Sequence, residues 1–268
     1  MKRIELFEFE DFHWLPGVIR TGVTNLIIVL HKLIGTSKVI KGLILNIHQK
    51  HKFSQITDMG SGSGGPMLDV IKEWNDGNTD ENLNLVLSDV YPNPQVVDKI
   101  NSQKFPNVTY QASPLDATNM KSAPNGLKTM IASFHHMNPT MAKKILKSAQ
   151  DTRQPILLYE IAKNNIPTLL WWILLPISLV ILILMSLIMT LFVRPLTLRQ
   201  VFFTYIIPII PLVYAWDGQA SIMRTYTFHD IEGLLGDLKT EDYHWEIGDA
   251  KKENGKNSGY FIMGYPIK

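Results

Sequence analysis

Phe53-Ser54-Gln55-Ile56-Thr57-Asp58-Met59-Gly60-Ser61-Gly62-Ser63-Gly64-Gly65-Pro66 begins as a β-rich run, breaks into a glycine-rich turn and opens into a helical pattern. Glycines without a Cβ let a backbone turn tightly and approach a ligand closely, and the helix start behind them offers unpaired N–H groups. Working outward, further β-rich runs follow at Leu83–Ser88, Val108–Gln111, Thr129–Phe134 and Ile156–Glu160. Helical patterns separate them at Pro66–Trp74, Pro94–Asn101, a short piece over Asp116–Met120, and Pro139–Gln150. That cadence predicts βαβ units, a mostly parallel sheet with helices on both faces, and ligands bound beyond the carboxyl ends of the strands.

The chain has 268 residues, 46% of them hydrophobic and 19% charged, a composition for one large folded domain with additions. Zero cysteines exclude disulfides, a thiolate nucleophile, iron–sulfur clusters and cysteine-bearing zinc sites. A net charge of +2, from 26 basic and 24 acidic residues, supplies no basic stripe for nucleic acid. Glu5, Glu8, Glu10 and Asp11 interrupt the N-terminus where a cleaved secretory signal needs an apolar core. Two helices are expected between Pro16 and Gln49, punctuated at Gly35-Thr36-Ser37.

After Lys163 the cadence breaks. Ile166–Val193 is 28 residues without a charge, which as one helix would reach about 42 Å, beyond a hydrocarbon core of about 30 Å. Arg194 and Arg199 interrupt it, and a shorter apolar run, Val201–Trp216, carries Pro208 and Pro211. Both ends must rejoin one sheet, so the chain leaves and returns on one side; a re-entrant or interfacial hairpin avoids carrying two arginines across a bilayer. A helical lid over the sheet is the alternative to membrane association. Globular sequence then resumes, with a helix over Phe228–Leu238 and strands Tyr243–Gly248 and Tyr260–Pro266 forming a closing antiparallel hairpin.

Read as Gly60-x-Gly62-x-x-Gly65, the loop suits a dinucleotide; read as Asp58-x-Gly60-x-Gly62-x-Gly64, it suits S-adenosylmethionine. An acid two residues before the first glycine pairs better with a ligand ammonium than with a pyrophosphate. Asp89 ends the second run, where a carboxylate takes two ribose hydroxyls of either cofactor, and Asp116-Ala117 follows the third, placed to read an adenine edge.

These residues, with Thr129-Met-Ile-Ala-Ser-Phe-His-His-Met-Asn138, resemble the class I S-adenosylmethionine-dependent methyltransferases of small-molecule type over Phe53–Glu160 and Phe228–Lys268. The resemblance implies a Rossmann-like α/β fold with a seven-stranded, mostly parallel sheet and an antiparallel last strand, here with an apolar helical hairpin inserted. It implies that Asp58, Gly60, Ser61, Gly62 and Gly64 hold the methionine end, Asp89 and Val90 the ribose, Asp116 and Ala117 the adenine, and Ser133 the cofactor's border with the substrate. His135 and His136 are the catalytic candidates, as general base or pocket walls, although methyl transfer from a sulfonium also proceeds by proximity alone. Trp216, Asp217, Arg224 and Tyr226 are the candidates for contacting the acceptor. Two departures stand out: a lengthened gap over Asn75–Asn84 and the insert of about 50 residues.

Other patterns read as structural. Tyr159 and Lys163 have dehydrogenase spacing but sit on a strand, about 13 Å apart. His48 and His51 have helical metal spacing without an identifiable third ligand, and no metal is expected. Met185, Met189 and Met223 read as apolar filling. The expected organisation is N-terminal helices over 1–52, a cofactor-binding domain over 53–163 and 217–268, and the insert over 164–216. The expected activity is methylation of a lipophilic small molecule at the cytoplasmic face of a membrane, with no nucleic acid involved. The rivals are an NAD(P)-dependent oxidoreductase and a non-catalytic membrane protein with a vestigial cofactor fold.

Overall fold

The structure is a computed structural model that describes residues 2–77 and 82–267. The chain divides into two compact units, 1–34 with 163–227 and 35–162 with 228–268. The division falls at Gly35, in the left-handed region at φ 70°, where one helical pattern becomes two: α1, Gly17–Ile34, in the first unit and α2, Thr36–Lys50, in the second.

In the second unit the elements run β1 (Gln55–Met59), α3 (Met67–Asn75), β2 (Asn84–Ser88), α4 (Pro94–Ser102), β3 (Val108–Tyr110), β4 (Leu127–Ile131), α5 (Pro139–Asp151) and β5 (Ile156–Glu160). Past the other unit's segment they continue as α9 (Phe228–Leu235), β6 (Tyr243–Lys251) and β7 (Asn257–Pro266). The strand order is β3-β2-β1-β4-β5-β7-β6. β1 to β5 are parallel, and β7 lies antiparallel between β5 and β6. β5 is buried along its whole length, as a central strand covered on both faces must be. One face buries Ile40, Ile44 and Ile47 of α2, Met67, Ile71 and Trp74 of α3, and Ile100 of α4 against the sheet. α5 and α9 pack together and bury Ala142, Ile145, Leu146, Ile231 and Leu234.

Two helix starts follow from local sequence. Asn93 and Asn138 each accept a backbone N–H with their side chains ahead of a proline in the first turn, the arrangement that satisfies orphan donors and tolerates a missing one. The fourth β-rich run stops short of the expected Phe134: Ala132 turns at φ 52°, and Phe134–His136 form a 3-10 turn. Asp116–Met120 is likewise a turn leading to a 3-10 turn, Met120–Ser122, rather than a helix. Of the lengthened gap, 78–81 lie outside the described residues; the Asn75 amide bridges its ends by accepting from Leu83 N and donating to Leu83 O at 3.0 and 3.1 Å.

The other unit holds the N-terminal segment, α1, α6 (Thr168–Thr190), α7 (Leu198–Val201), a π-helical turn over Phe202–Ile206, and α8 (Ile209–Arg224). α1 and α6 are long and apolar enough to cross a membrane, and the chain bends by 77° between the π-helical turn and α8. The residues Trp216 to Arg224, read from sequence as a polar stretch apart from the insert, are the continuation of α8. An apolar first half and a polar second half conceal a single helix because its polar groups are matched from within the unit, as described below.

Candidate functional site

β1 ends at Met59 and the chain enters a loop in which Gly60, Gly62, Gly64 and Gly65 all have positive φ, between 46° and 92°. An L-residue is strained at each of these angles. The loop is tied from three sides. Ser61 N donates to Ser88 O at 2.9 Å, Gly62 N donates to Asp89 Oδ2 at 3.1 Å, and Tyr110 Oη donates to Gly62 O at 2.9 Å. The ends of β1, β2 and β3 thus meet at one place, the carboxyl edge of the sheet, because the three strands are parallel neighbours.

Asp58 is buried at the end of β1, at the base of the loop. It is 3% exposed; Oδ1 accepts from Thr129 Oγ1 at 2.6 Å, and Oδ2 lies 2.7 Å from Ser61 Oγ. Burial raises its pKa from 3.8 to about 7, against the lowering effect of those two hydroxyls and with a smaller contribution from the Asp89 charge. Its task in this arrangement is to hold Ser61 and Thr129, and so the loop's base.

Asp89, half-buried, accepts from Gly62 N and, through Oδ1, from Tyr91 N at 3.0 Å. Val90 beside it is exposed. The Leu115 N–H donates to Asp89 O at 2.9 Å, which fixes the start of the third loop to the second strand's end. There Asp116 is exposed and caps its own turn, Oδ1 accepting from Thr118 N and Thr118 Oγ1 at 2.8 Å each, with Ala117 next to it. Ser133 Oγ is buried with no hydrogen-bond partner among the described residues, and a Cβ added to Gly60 would come within 3.4 Å of it. An orphaned buried hydroxyl costs about 1–3 kcal/mol unless a ligand takes it up.

His135 and Glu160 form a buried pair at the same sheet edge. The His135 N–H donates to Glu160 Oε1 at 3.0 Å, and Nδ1 lies 2.9 Å from Glu160 Oε2. A carboxylate only accepts, so Nδ1 carries the hydrogen and the ring's basic nitrogen is Nε2. His136 packs its ring 4.3 Å from that of His135.

The remaining expected site residues lie in the helical unit and are engaged within it. Trp216 Nε1 donates to Phe7 O, and Asp217 accepts from Phe9 N and Glu10 N at 2.7 and 3.2 Å. Arg224 pairs with Asp11 at 2.5 Å and Glu8 at 3.4 Å, and Arg3 stands over the Tyr226 ring. Sequence reasoning passed over Tyr110 and Glu160. A tyrosine closing β3 and a glutamate closing β5, both at the carboxyl ends of parallel strands, were the available signal. His48, read as structural, donates from Nε2 to Phe53 O and packs on Trp74; Tyr159 Oη donates to Ser258 O.

No family model and no curated protein matches the chain. Among solved structures it is similar to the plantazolicin methyltransferase BpumL in complex with SAH, with a TM-score of 0.51 and 10% identity over 92% of this chain and 96% of that one. The plantazolicin methyltransferase BamL, in complex with a triazolic desmethylPZN analog and SAH, gives 0.49 and 12% over 94% and 98%. The BpumL likeness and the β3-β2-β1-β4-β5-β7-β6 order, with its inserted antiparallel strand, agree on one conclusion: the chain has the Rossmann-like fold of class I S-adenosylmethionine-dependent methyltransferases.

Proposed function

We propose that this chain transfers a methyl group from S-adenosylmethionine to a lipophilic small molecule at the cytoplasmic surface of a membrane. The observation that carries the cofactor reading is the seat itself: left-handed glycines with Gly62 pinned by Asp89 and Tyr110, beside a buried Ser133 hydroxyl that nothing among the described residues satisfies. In this reading Gly60, Ser61, Gly62 and Gly64 hold the methionine end over the Asp58 base. Asp89 and Val90 take the ribose, Asp116 and Ala117 the adenine, and Ser133 donates to the cofactor. When bound, the cofactor supplies an electrophilic methyl on a sulfonium. His135 Nε2, its tautomer set by Glu160, accepts the proton that an acceptor hydroxyl, amine or activated carbon loses on methylation. Glu160 stabilises the imidazolium that results.

The lipophilic acceptor and the membrane rest on the helical unit's surface, where Leu169, Ile173, Ile177, Ile188 and Ile206 are each more than 60% exposed. A monomer in water does not leave so many large side chains in one region uncovered. The absence of a basic stripe argues against a nucleic-acid substrate.

Calorimetric titration of the detergent-purified protein with S-adenosylhomocysteine and, separately, NADH tests the reading. Binding of the first alone at micromolar affinity is expected. Binding of NADH alone would replace methyl transfer with hydride transfer, and binding of neither would make the fold vestigial.

A further inference from the structure

α6 has two unlike faces. Ile173, Ile177, Ile181, Leu184 and Ile188 are exposed at three- and four-residue spacing, one stripe along almost the whole helix. Trp171, Leu175, Ser186 and Met189 form the buried face. That buried face meets α8 and the N-terminal segment: Trp171 Nε1 donates to Gln219 Oε1 at 3.0 Å, and Trp171 and Leu175 cluster with Met223, Ile4 and Leu6. The apolar stripe therefore points away from the segment in which the unit's charges are gathered.

Of those charges, Asp217 lies far along the helix and Arg224 nearer its start, beside the Met223 that packs on Trp171 and Leu175. Asp217 is held by Phe9 N and Glu10 N, while Arg224 is paired with Glu8 and Asp11. A Cβ on the neighbouring Gly218 would meet Leu182 at 3.5 Å. Leu182 is 14 residues into α6, about 21 Å from its start at 1.5 Å per residue. Were α6 to stand upright with Thr168 at the water boundary, Arg224, next to Met223 at the level of Trp171 and Leu175, would lie in the outer part of a hydrocarbon core about 30 Å thick, and Asp217 would lie beyond its middle. Each charge there costs about 3 kcal/mol or more. Laid flat, the helix puts the stripe in lipid and the network in water. At its far end Arg194 and Arg199 are exposed beside Leu191, Phe192 and Leu198, apolar side chains next to cations as the headgroup boundary favours.

We propose that α6 binds the bilayer lengthwise, its Ile173–Ile188 stripe sunk to the acyl–headgroup boundary of one leaflet, and that the unit does not cross the membrane. This rests on the membrane reading above and adds the face, the partner and the orientation.

The cysteine-free sequence allows a direct test. The full chain carrying Ile173→Cys, Ile177→Cys, Leu184→Cys or Ile188→Cys, each at an exposed site, is spin-labelled and reconstituted in vesicles of phosphatidylcholine and phosphatidylglycerol. Depth is read from the ratio of oxygen to water-soluble nickel relaxation. All four labels at one shallow depth, about 5–10 Å below the phosphates, is the expected result. A profile that deepens and then becomes shallow over the about 22 Å between positions 173 and 188 would overturn the orientation while leaving the membrane reading intact. Four labels in water would overturn both.

Discussion

Asp58→Asn isolates the electrostatics of the loop's base. Ser61 Oγ has one hydrogen, yet it lies 2.8 Å from Asp58 O and 2.7 Å from Asp58 Oδ2, while accepting from Ser88 N at 3.1 Å. If the hydroxyl gives its hydrogen to the carbonyl, the short contact to Oδ2 needs a proton on the carboxyl, which burial already favours by raising the pKa from 3.8 to about 7. A carboxyl whose folded pKa is raised contributes no pH-dependent penalty below 3.8, where both states hold the proton. Between 3.8 and about 7 the folded state keeps a proton that the unfolded chain releases, so stability falls as pH rises; above about 7 the loss is complete. At about 1.4 kcal/mol per unit the full loss is about 4 kcal/mol. Of this, about 3 kcal/mol falls between pH 5 and pH 7.5. Asparagine keeps an acceptor and removes the titration. Urea titrations of both proteins in mild detergent at pH 5 and 7.5 give the difference, in which all other titrating groups cancel. The wild type is expected to lose about 3 kcal/mol more than the variant over that range. Parallel pH profiles would mean that Asp58 is ionised at rest and that the assignment of its role to burial is wrong.

Asp89→Ala removes the proposed ribose grip and the acceptor of Gly62 N; S-adenosylhomocysteine affinity should fall about 100-fold, about 2.7 kcal/mol, and unchanged calorimetric affinity in the folded variant would remove the site assignment. Tyr110→Phe deletes one hydrogen bond to Gly62 O, so the dissociation constant should rise about 2- to 10-fold with kcat little changed. Glu160→Gln and His135→Ala should leave cofactor affinity as it is and lower kcat by about 100-fold or more; undiminished single-turnover rates would show that proximity alone suffices. Gly259→Ala would press a Cβ to within 2.0 Å of Glu160 O at φ 85°, and is expected to cost several kcal/mol in thermal or urea unfolding by breaking the β5–β7 pairing.

The sheet was legible because its signals are local. The parallel strands are short apolar runs, and α3, α4 and α5 each have a proline or an asparagine cap to mark their start, so β1, β2, β3, β5 and the closing hairpin fall close to where the pattern puts them. What was not legible depends on partners distant in sequence. Ala132 takes φ 52° and ends β4 early, its N–H donating to Tyr159 O at 2.7 Å; nothing in Ile131-Ala132-Ser133 announces a neighbour on β5. Trp216 to Arg224 reads as a mix of polar and aromatic residues set to contact an acceptor, and is the second half of α8 in the fold. The backbone N–H groups, carbonyl and carboxylate that match its polar groups come from residues 7–11, more than 200 positions away.

The candidate site divides in the same way. The glycines, Asp89 and Asp116 announce themselves because a loop that must close around a ligand needs particular residue types at fixed spacing. Asp58 does so too, but its spacing is equally compatible with a group facing a ligand and with one facing inward; only burial separates them, and burial is a property of the packed sheet. The His135–Glu160 pair is the sharper case. The histidine can be singled out by position after β4, yet an isolated imidazole is bland until a carboxylate fixes its tautomer. That carboxylate ends a different strand, 25 residues on. Parallel pairing of β4 with β5, Ile131 opposite Tyr159, is what carries the two to one edge. A parallel sheet converts residues that merely end strands into neighbours. The loop's ties come from β2 and β3, and the proton-handling pair comes from β4 and β5. In the proposed reading, substitutions at Asp89 or Tyr110 therefore perturb the cofactor seat and substitutions at Glu160 the His135 pair, while β4 serves both through Thr129 and Ser133.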